Sequence, residues 1–189
     1  MIRLVDPRAA IVLASAPQPP AELNKILDDK PIMVIGPELL EQSGDALNVP
    51  LTADELAYVA FTSGTTGQPK GIMGSHAPVS HFLQWYLAKF RFGTGDRFAM
   101  LSGLAHDPLL RDIMAPLASG ATLVVPPRDA IKDPHSLRAM LVEEKISVIH
   151  LTPSLGQLIL HSREHAIAYR TLPSLRLAFF GGEPLKYAM

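Results

Sequence analysis

Residues 62–71 read Thr-Ser-Gly-Thr-Thr-Gly-Gln-Pro-Lys-Gly and directly follow the apolar run Tyr-Val-Ala-Phe at 58–61. Gly64, Gly67 and Gly71 let the backbone approach a ligand closely. Thr62, Ser63, Thr65 and Thr66 add hydroxyl groups, and successive backbone N–H groups in such a loop form an anion-binding concavity. Lys70 supplies a compact positive charge suited to phosphate. The ligand this chemistry points to is a polyphosphate; the alternative is a surface loop that merely joins two strands. The spacing is not that of a Walker A loop, because the residues after Gly64 lead to Pro69 and not to Gly-Lys-Ser/Thr, and the loop lacks Gly-x-Gly-x-x-Gly.

Other reactive side chains are scattered. Asp107-Pro108 is a helix N-cap followed by proline at the first helical position, or else Asp107 is a buried carboxylate that needs a cationic partner. Arg111 stands four residues on. It either pairs with Asp107 on the helix surface or faces a pocket, where it would suit a substrate with an acidic or polar side chain. His161 and His165 have the i,i+4 spacing that clips a metal on a helix, but nothing else in the sequence suggests a metal. An exposed helix end is preferred, and no metal ligand is assigned. His76 and His81 read as a helix start and a helix face, and Trp85 with its aromatic neighbours as core packing.

The elements that must carry these groups alternate. Strands are expected at 9–14, 31–36, 57–62, near 72–74, 97–103, 121–126, 147–151 and 175–180. Helices are expected within 17–30, over about 78–90, from Asp107-Pro108 to Gly120, from Asp133-Pro134 onward, and over 153–162. Such alternation means βαβ units, hence an α/β fold with a mostly parallel sheet and helices on both faces. Ligands bind beyond the carboxyl ends of strands in such sheets. The loops after 57–62, after 97–103 and at Gly181-Gly182-Glu183 all follow expected strands, so all three are expected on one edge. Residues 36–53, with Pro, Gly and Asp, read as a linker, dividing the chain into 1–50 and 51–189.

Composition sets bounds. In 189 residues, 48% are apolar and 19% charged, with a net charge of −1 and no cysteine. That is a globular balance, with no basic field to recruit nucleic acid and no disulfides or thiolate metal sites; a reducing, cytoplasmic location is the default expectation. The N-terminal Ala-Ala-Ile-Val-Leu-Ala-Ser-Ala is interrupted upstream by Asp6-Pro7 and reads as a buried strand, not a signal peptide. No stretch approaches the roughly 20 apolar residues of a membrane span.

The unbroken run from Thr62 to Gly71, with His76 beyond it, resembles the signature phosphate loop of the adenylate-forming (AMP-binding) superfamily, which includes acyl-CoA ligases, luciferases and the adenylation domains of nonribosomal peptide synthetases. Residues 106–126 are similar to the amino-acid adenylation motif that begins Phe-Asp and ends Gly-Ala-x-Leu, with matching spacing from Asp107 to Gly120 and with His106 in place of Phe. Residues 175–185 resemble the strand and loop bordering the adenine pocket. The resemblance covers about 52–185 and is looser before that.

It implies part of the N-terminal domain of an acyl-adenylate-forming enzyme, most like a peptide synthetase adenylation domain. It also implies ATP with Mg²⁺, an amino-acid or other carboxylic-acid substrate, and a phosphopantetheine thiol on a carrier-protein domain as acceptor. On this resemblance Thr62, Ser63, Gly64, Thr65, Thr66, Gly67 and Lys70 would hold phosphates, and Gly182 and Glu183 would lie against adenosine. Asp107 would pair with the substrate α-ammonium group, and Pro108, Arg111, His150, Phe179 and Gly181 would wall the acyl pocket. The family's Tyr-Gly-x-Thr-Glu segment, its ribose-binding aspartate and its catalytic lysine are not found in these 189 residues. The expectation is therefore a fragment that is inactive alone, that needs the remainder of the adenylation domain, and that self-associates through exposed edges. The alternatives are an acyl-CoA ligase-type fragment and a non-catalytic nucleotide-binding module.

Overall fold

The structure is a computed structural model that describes residues 5–15, 21–45, 48–63, 69–103, 107–160 and 172–185. The chain forms two compact units, Met1–His76 and Ala77–Met189. The break falls after the phosphate-loop segment, whereas the linker-like composition of 36–53 put it at 50/51.

In the first unit, β1 (Ala10–Leu13) and β2 (Ile32–Ile35) pair in parallel, with Ala10 opposite Ile32, and α1 (Ala21–Leu27) lies between them in sequence. A 3₁₀ turn follows over Pro37–Glu41, inside the segment read as irregular. β3 (Leu56–Ser63) and β4 (Pro69–Ser75) pair antiparallel, with Thr62 opposite Lys70 and Ser63 opposite Pro69. The expected short strand near 72–74 is thus seven residues long. The glycine-rich loop joins antiparallel strands and is not a strand-to-helix crossing. Only residues 64–68 separate the two strands, far short of the dozen or so a parallel crossover needs.

The second unit begins in α2 (His76–Phe90) and carries a four-stranded sheet of order β6-β5-β7-β8, parallel throughout. Its strands are β5 (Arg97–Ala99), β6 (Thr122–Val124), β7 (Val148–Leu151) and β8 (Leu177–Phe180). The helices between them are α3 (Pro108–Ser119), α4 (Arg128–Lys132), α5 (Pro134–Glu143) and α6 (Pro153–Leu160). The short α4 has no counterpart in the sequence reading, and β5 is shorter than the apolar stretch from 97 suggested.

Side chains alternate across a strand, and here the alternation sorts two cores. Phe98 and Val148 pack with Leu83, Tyr86, Leu87 and Ala115 of α2 and α3. Ala99, Ile149 and Leu151 pack with Leu137, Leu141 and Ile159 of α5 and α6. Helices therefore cover both faces, as expected. Trp85 departs from expectation: it is 52% exposed, and its neighbour Tyr86, at 3%, is the aromatic that enters the core. Among the described residues no helix is long and apolar enough to cross a membrane.

Helix ends follow local chemistry. Asp133 caps α5 by accepting from the backbone N–H groups of His135 and Ser136. Gly120 ends α3 in the left-handed region, at φ 70°, where glycine avoids the Cβ penalty.

The residues entering three strands are tied together at the amino edge of the sheet. Both oxygens of Asp96 accept from Arg176, at 2.8 and 2.7 Å, and Ser147 Oγ donates to Oδ1 at 2.8 Å. Arg176 also lies over the ring of Phe92. The bond from Arg176, against the opposing effect of burial, holds the Asp96 carboxyl below its usual range. Replacing Arg176 by Met keeps the apolar stem and leaves a buried carboxylate short of donors, which costs about 2 kcal/mol at pH 7. Because a depressed carboxylate contributes stability only above its ordinary pKa, the gap to wild type narrows below about pH 3.8. Urea unfolding at pH 7 and pH 3 checks this; a loss that does not change with pH contradicts the ionic account.

Candidate functional site

In the second unit the chain leaves the carboxyl edge of the sheet after β5 toward α3, after β7 into α6, and after β8 through Gly181 to Glu183. Two of the three expected loops thus share this edge, where α/β sheets bind ligands. The third, 64–68, is the connection of the β3–β4 hairpin in the other unit.

His150 lies in β7 and is 4% exposed. Its place in the alternation turns it to the same side as Val148, toward α2 and α3. There its Nε2 lies 2.5 Å from the Tyr86 hydroxyl and its Nδ1 lies 2.9 Å from Asp112 Oδ1. Asp112 is completely buried; its Oδ2 accepts from the Ser102 backbone N–H at 3.1 Å. Arg111 Nε stands 3.6 Å from Asp112 Oδ1, an ion pair rather than a hydrogen bond. The Phe179 ring stacks on His150 with centroids 4.9 Å apart.

The protonation states follow from these surroundings. Burial pushes His150 below its ordinary pKa, overcoming the opposing pull of Asp112. Burial would raise Asp112, but His150, the bond from Ser102 and the charge of Arg111 hold it below its ordinary value. Burial also drives Tyr86 well above the usual phenol range. In the tautomer that carries its proton on Nδ1, the neutral imidazole accepts from the Tyr86 hydroxyl at Nε2, while Nδ1 faces Asp112 Oδ1 in an electrostatic contact without hydrogen-bond geometry. Both ring nitrogens are then committed, so His150 presents a wall and not a free polar group.

Arg111 contradicts the surface-pair expectation. Among the described residues it makes no ion pair with Asp107; its guanidinium turns inward to Asp112, with the side chain 28% exposed. A carboxylate buried beside the helix attracts the guanidinium more strongly than an exposed one in water. Asp107 is exposed and occupies the N-cap position of α3 without a side-chain capping bond. Its backbone is already helical, at φ −56° and ψ −31°, whereas a capping side chain needs a non-helical N-cap. Pro108 is half-buried at the first position of α3.

At the β8 end, Gly181 is exposed and donates its N–H to the carbonyl of Leu151 at 3.0 Å, and Gly182 sits at φ 82°. An added Cβ there would meet nothing closer than 3.7 Å, so backbone conformation, not space, requires glycine. Glu183 accepts from the Ser154 backbone N–H at 3.1 Å and from its hydroxyl. Those bonds hold its carboxyl below the usual range.

In the first unit Thr62, Ser63 and Lys70 lie at the hairpin end, and Lys70 is exposed. Gly64, Thr65, Thr66, Gly67, His106, His161 and His165 lie outside the described residues. No group of three or more His, Asp or Glu side chains that could hold a metal ion occurs among the described residues, so no Mg²⁺ ligand is identified.

Sequence reasoning passed over Asp112, whereas Tyr86 lies on the helical apolar stripe with Leu83 and Leu87 and is buried as that spacing implies. The signal for Asp112 was present: with Ala115 and Pro116 it forms the buried i, i+3, i+4 stripe of α3, and a charge on that stripe needs a partner.

A family model described as AMP-binding enzyme matches residues 1–189. The chain belongs to the AMP-binding enzyme family. It is 40% identical over 147 residues to an L-2-aminoadipate reductase of Schizosaccharomyces pombe, covering 78% of this chain and 10% of the reductase. It is 32% identical over 187 residues to gramicidin S synthase 2 of Aneurinibacillus migulanus, covering 96% of this chain and 4% of the synthase. The Vibrio cholerae adenylation domain AlmE, solved with glycyl-adenosine-5'-phosphate, superposes with a TM-score of 0.69 at 26% identity, over 91% of this chain and 31% of that one. The chain therefore spans a tenth or less of the length of these curated relatives. Family membership bears out the adenylate-forming resemblance carried by the Thr62–Gly71 run, and the parallel sheet with helices on both faces bears out the α/β fold drawn from the alternation of strands and helices.

The committed state of His150 has a pH signature. The unfolded imidazole takes up a proton near pH 6.5, while the folded one resists until lower pH. The buried neutral state is thus fully favourable above 6.5 and is lost as pH falls through that value toward the folded pKa. The stability gap between wild type and His150→Gln should shrink from pH 7.5 to pH 5 in thermal or urea unfolding. A gap constant across that range contradicts the neutral, buried imidazole.

Proposed function

We propose that this AMP-binding chain supplies the acid-recognising part of an enzyme that activates an amino acid bearing a second carboxylate, L-2-aminoadipate, as its acyl-adenylate. The observation that carries this is the Arg111 guanidinium. Its Nε lies 3.6 Å from the buried Asp112 Oδ1 without a hydrogen bond, and its terminal nitrogens have no hydrogen bond or ion pair among the described residues. A guanidinium drawn toward Asp112 by charge alone keeps its donors for a second carboxylate, which its fork of N–H groups takes bidentately. The L-2-aminoadipate reductases among the relatives, including that of Saccharomyces cerevisiae at 41% identity over 132 residues, support a substrate of this class.

In this reading the substrate's α-carboxylate attacks the α-phosphorus of ATP and the bond to pyrophosphate breaks, leaving aminoacyl-AMP. A phosphopantetheine thiol on a carrier domain then takes the acyl group and AMP departs. Positioning and charge neutralisation do most of the work in such transfers. In the first unit, Lys70 offers positive charge and Thr62 and Ser63 offer hydroxyl donors, a set suited to phosphate groups. Asp107 pairs with the α-ammonium group, Arg111 with the side-chain carboxylate, and Pro108, His150, Phe179 and Gly181 shape the walls.

The test is ATP–pyrophosphate exchange by the full-length polypeptide that carries these residues, with L-2-aminoadipate, L-glutamate, L-norleucine and a fatty acid compared. L-2-aminoadipate is expected to exceed L-norleucine by about 100-fold or more in kcat/KM, since a site built for a polar group rejects an analogue that lacks it. Arg111→Met is expected to remove about 100-fold of that preference, chiefly through KM. Preference for norleucine or the fatty acid sinks the proposal.

A further inference from the structure

The N-terminus of α6 opens at the carboxyl edge of β7, and every N–H of its first turn is accounted for. Pro153, at the first position, has none. Leu155 N–H donates to Thr152 Oγ1 at 3.3 Å, and Gly156 N–H to the Thr152 carbonyl at 3.0 Å. The remaining one, on Ser154, goes to Glu183 from the β8 loop, and the Ser154 hydroxyl donates to the same carboxylate oxygen. Glu183 thus fills the place an anion would take at a helix terminus. Directly before it, Gly182 holds a left-handed turn at φ 82°, and Gly181 extends the ladder to Leu151. Two fixed points, the Gly181–Leu151 bond and the Glu183–Ser154 bonds, bracket a glycine that has no side chain to hold it.

We propose that Glu183 and Ser154 are positioning residues: their bond to the start of α6 fixes the Gly181–Gly182 backbone against which the nucleoside part of ATP packs. The Glu183 carboxylate itself does not receive the nucleotide. That ATP binds rests on the reading under Proposed function, and that its nucleoside lies here is what the family resemblance implies for Gly182 and Glu183. Ser154 lies outside every motif recognised in the sequence, and for Glu183 the geometry replaces direct contact with action through the backbone. The chemistry required of residue 183 is a two-bond acceptor of the right length, not a charge that meets the ligand.

The test compares Ser154→Ala, Glu183→Gln and Glu183→Ala in the full-length polypeptide by ATP–pyrophosphate exchange, with KM for ATP and for L-2-aminoadipate measured separately. Ser154→Ala and Glu183→Ala should each raise KM for ATP about tenfold and KM for the amino acid less than threefold, and the double variant should be no worse than either single one. Glu183→Gln, which keeps the acceptor oxygen, should stay within threefold of wild type. Equal losses in Glu183→Gln and Glu183→Ala with a silent Ser154→Ala overturn the proposal in favour of direct contact. Equal rises in both KM values overturn it in favour of a general structural role.

Amide hydrogen exchange at Ser154 is the readout that does not depend on turnover. Protection in wild type and Glu183→Gln, lost at least tenfold in Glu183→Ala, is expected; no difference overturns the tie. Failure of the wild type to exchange pyrophosphate with any amino acid defeats the functional reading instead, and with it the nucleotide role.

Discussion

A fully buried, ionised carboxylate organises the second unit. Asp112 is charged in a place where an unpaired charge would cost several kcal/mol. The groups that face it come from separate elements: the Ser102 backbone, which donates a hydrogen bond from the β5–α3 loop, and in charge contact His150 from β7 and Arg111 from α3 itself. Through His150 the chain of contacts reaches Tyr86 on α2. One side chain therefore fixes the register of two helices against the sheet, selects a tautomer and aims a guanidinium. The apolar cores supply most of the cohesion, but they are non-directional and would tolerate small rotations of α3. The contacts to Asp112 are more particular: the Ser102 N–H bond ties the loop to α3, and electrostatic attraction draws His150 and Arg111 toward Oδ1.

The two edges of the parallel sheet divide the labour. At the amino edge Asp96, Ser147 and Arg176 lock the residues that enter β5, β7 and β8. At the carboxyl edge the same strands release short loops whose ends are pinned: Ser102 to Asp112, and Glu183 to Ser154. Loops held at defined points on a rigid scaffold are where recognition groups are usually found, and Asp107 follows one such point while Gly182 precedes the other.

Much of this was legible in the sequence. The alternation of apolar runs with proline-opened helices gave the parallel α/β unit, and Asp133-Pro134 and Gly120 marked real helix ends. The run Thr62–Gly71 carried the family assignment. The two strands flanking that run were both expected, and their antiparallel pairing follows from the five-residue connection, too short for a crossover. Asp107 looks like a cap by residue type, yet its helical backbone removes the geometry for capping. Arg111 pairs across one residue and inward, not across four and outward, because the deciding partner is an aspartate whose burial depends on tertiary packing. Tyr86 falls on the apolar spacing of its helix and is buried, while its larger neighbour Trp85 is half-exposed, because helix phase against the sheet and not side-chain size decides which of them enters the core.

Arg111 is the group proposed to meet a second carboxylate. A complex of the full-length polypeptide with a hydrolysis-resistant L-2-aminoadipyl-adenylate analogue tests it most directly. The terminal nitrogens of Arg111 are predicted to lie about 2.7–3.0 Å from the side-chain carboxylate, with Nε still turned to Asp112. A side-chain carboxylate bound elsewhere, with the Arg111 terminal nitrogens occupied by protein groups, would contradict it.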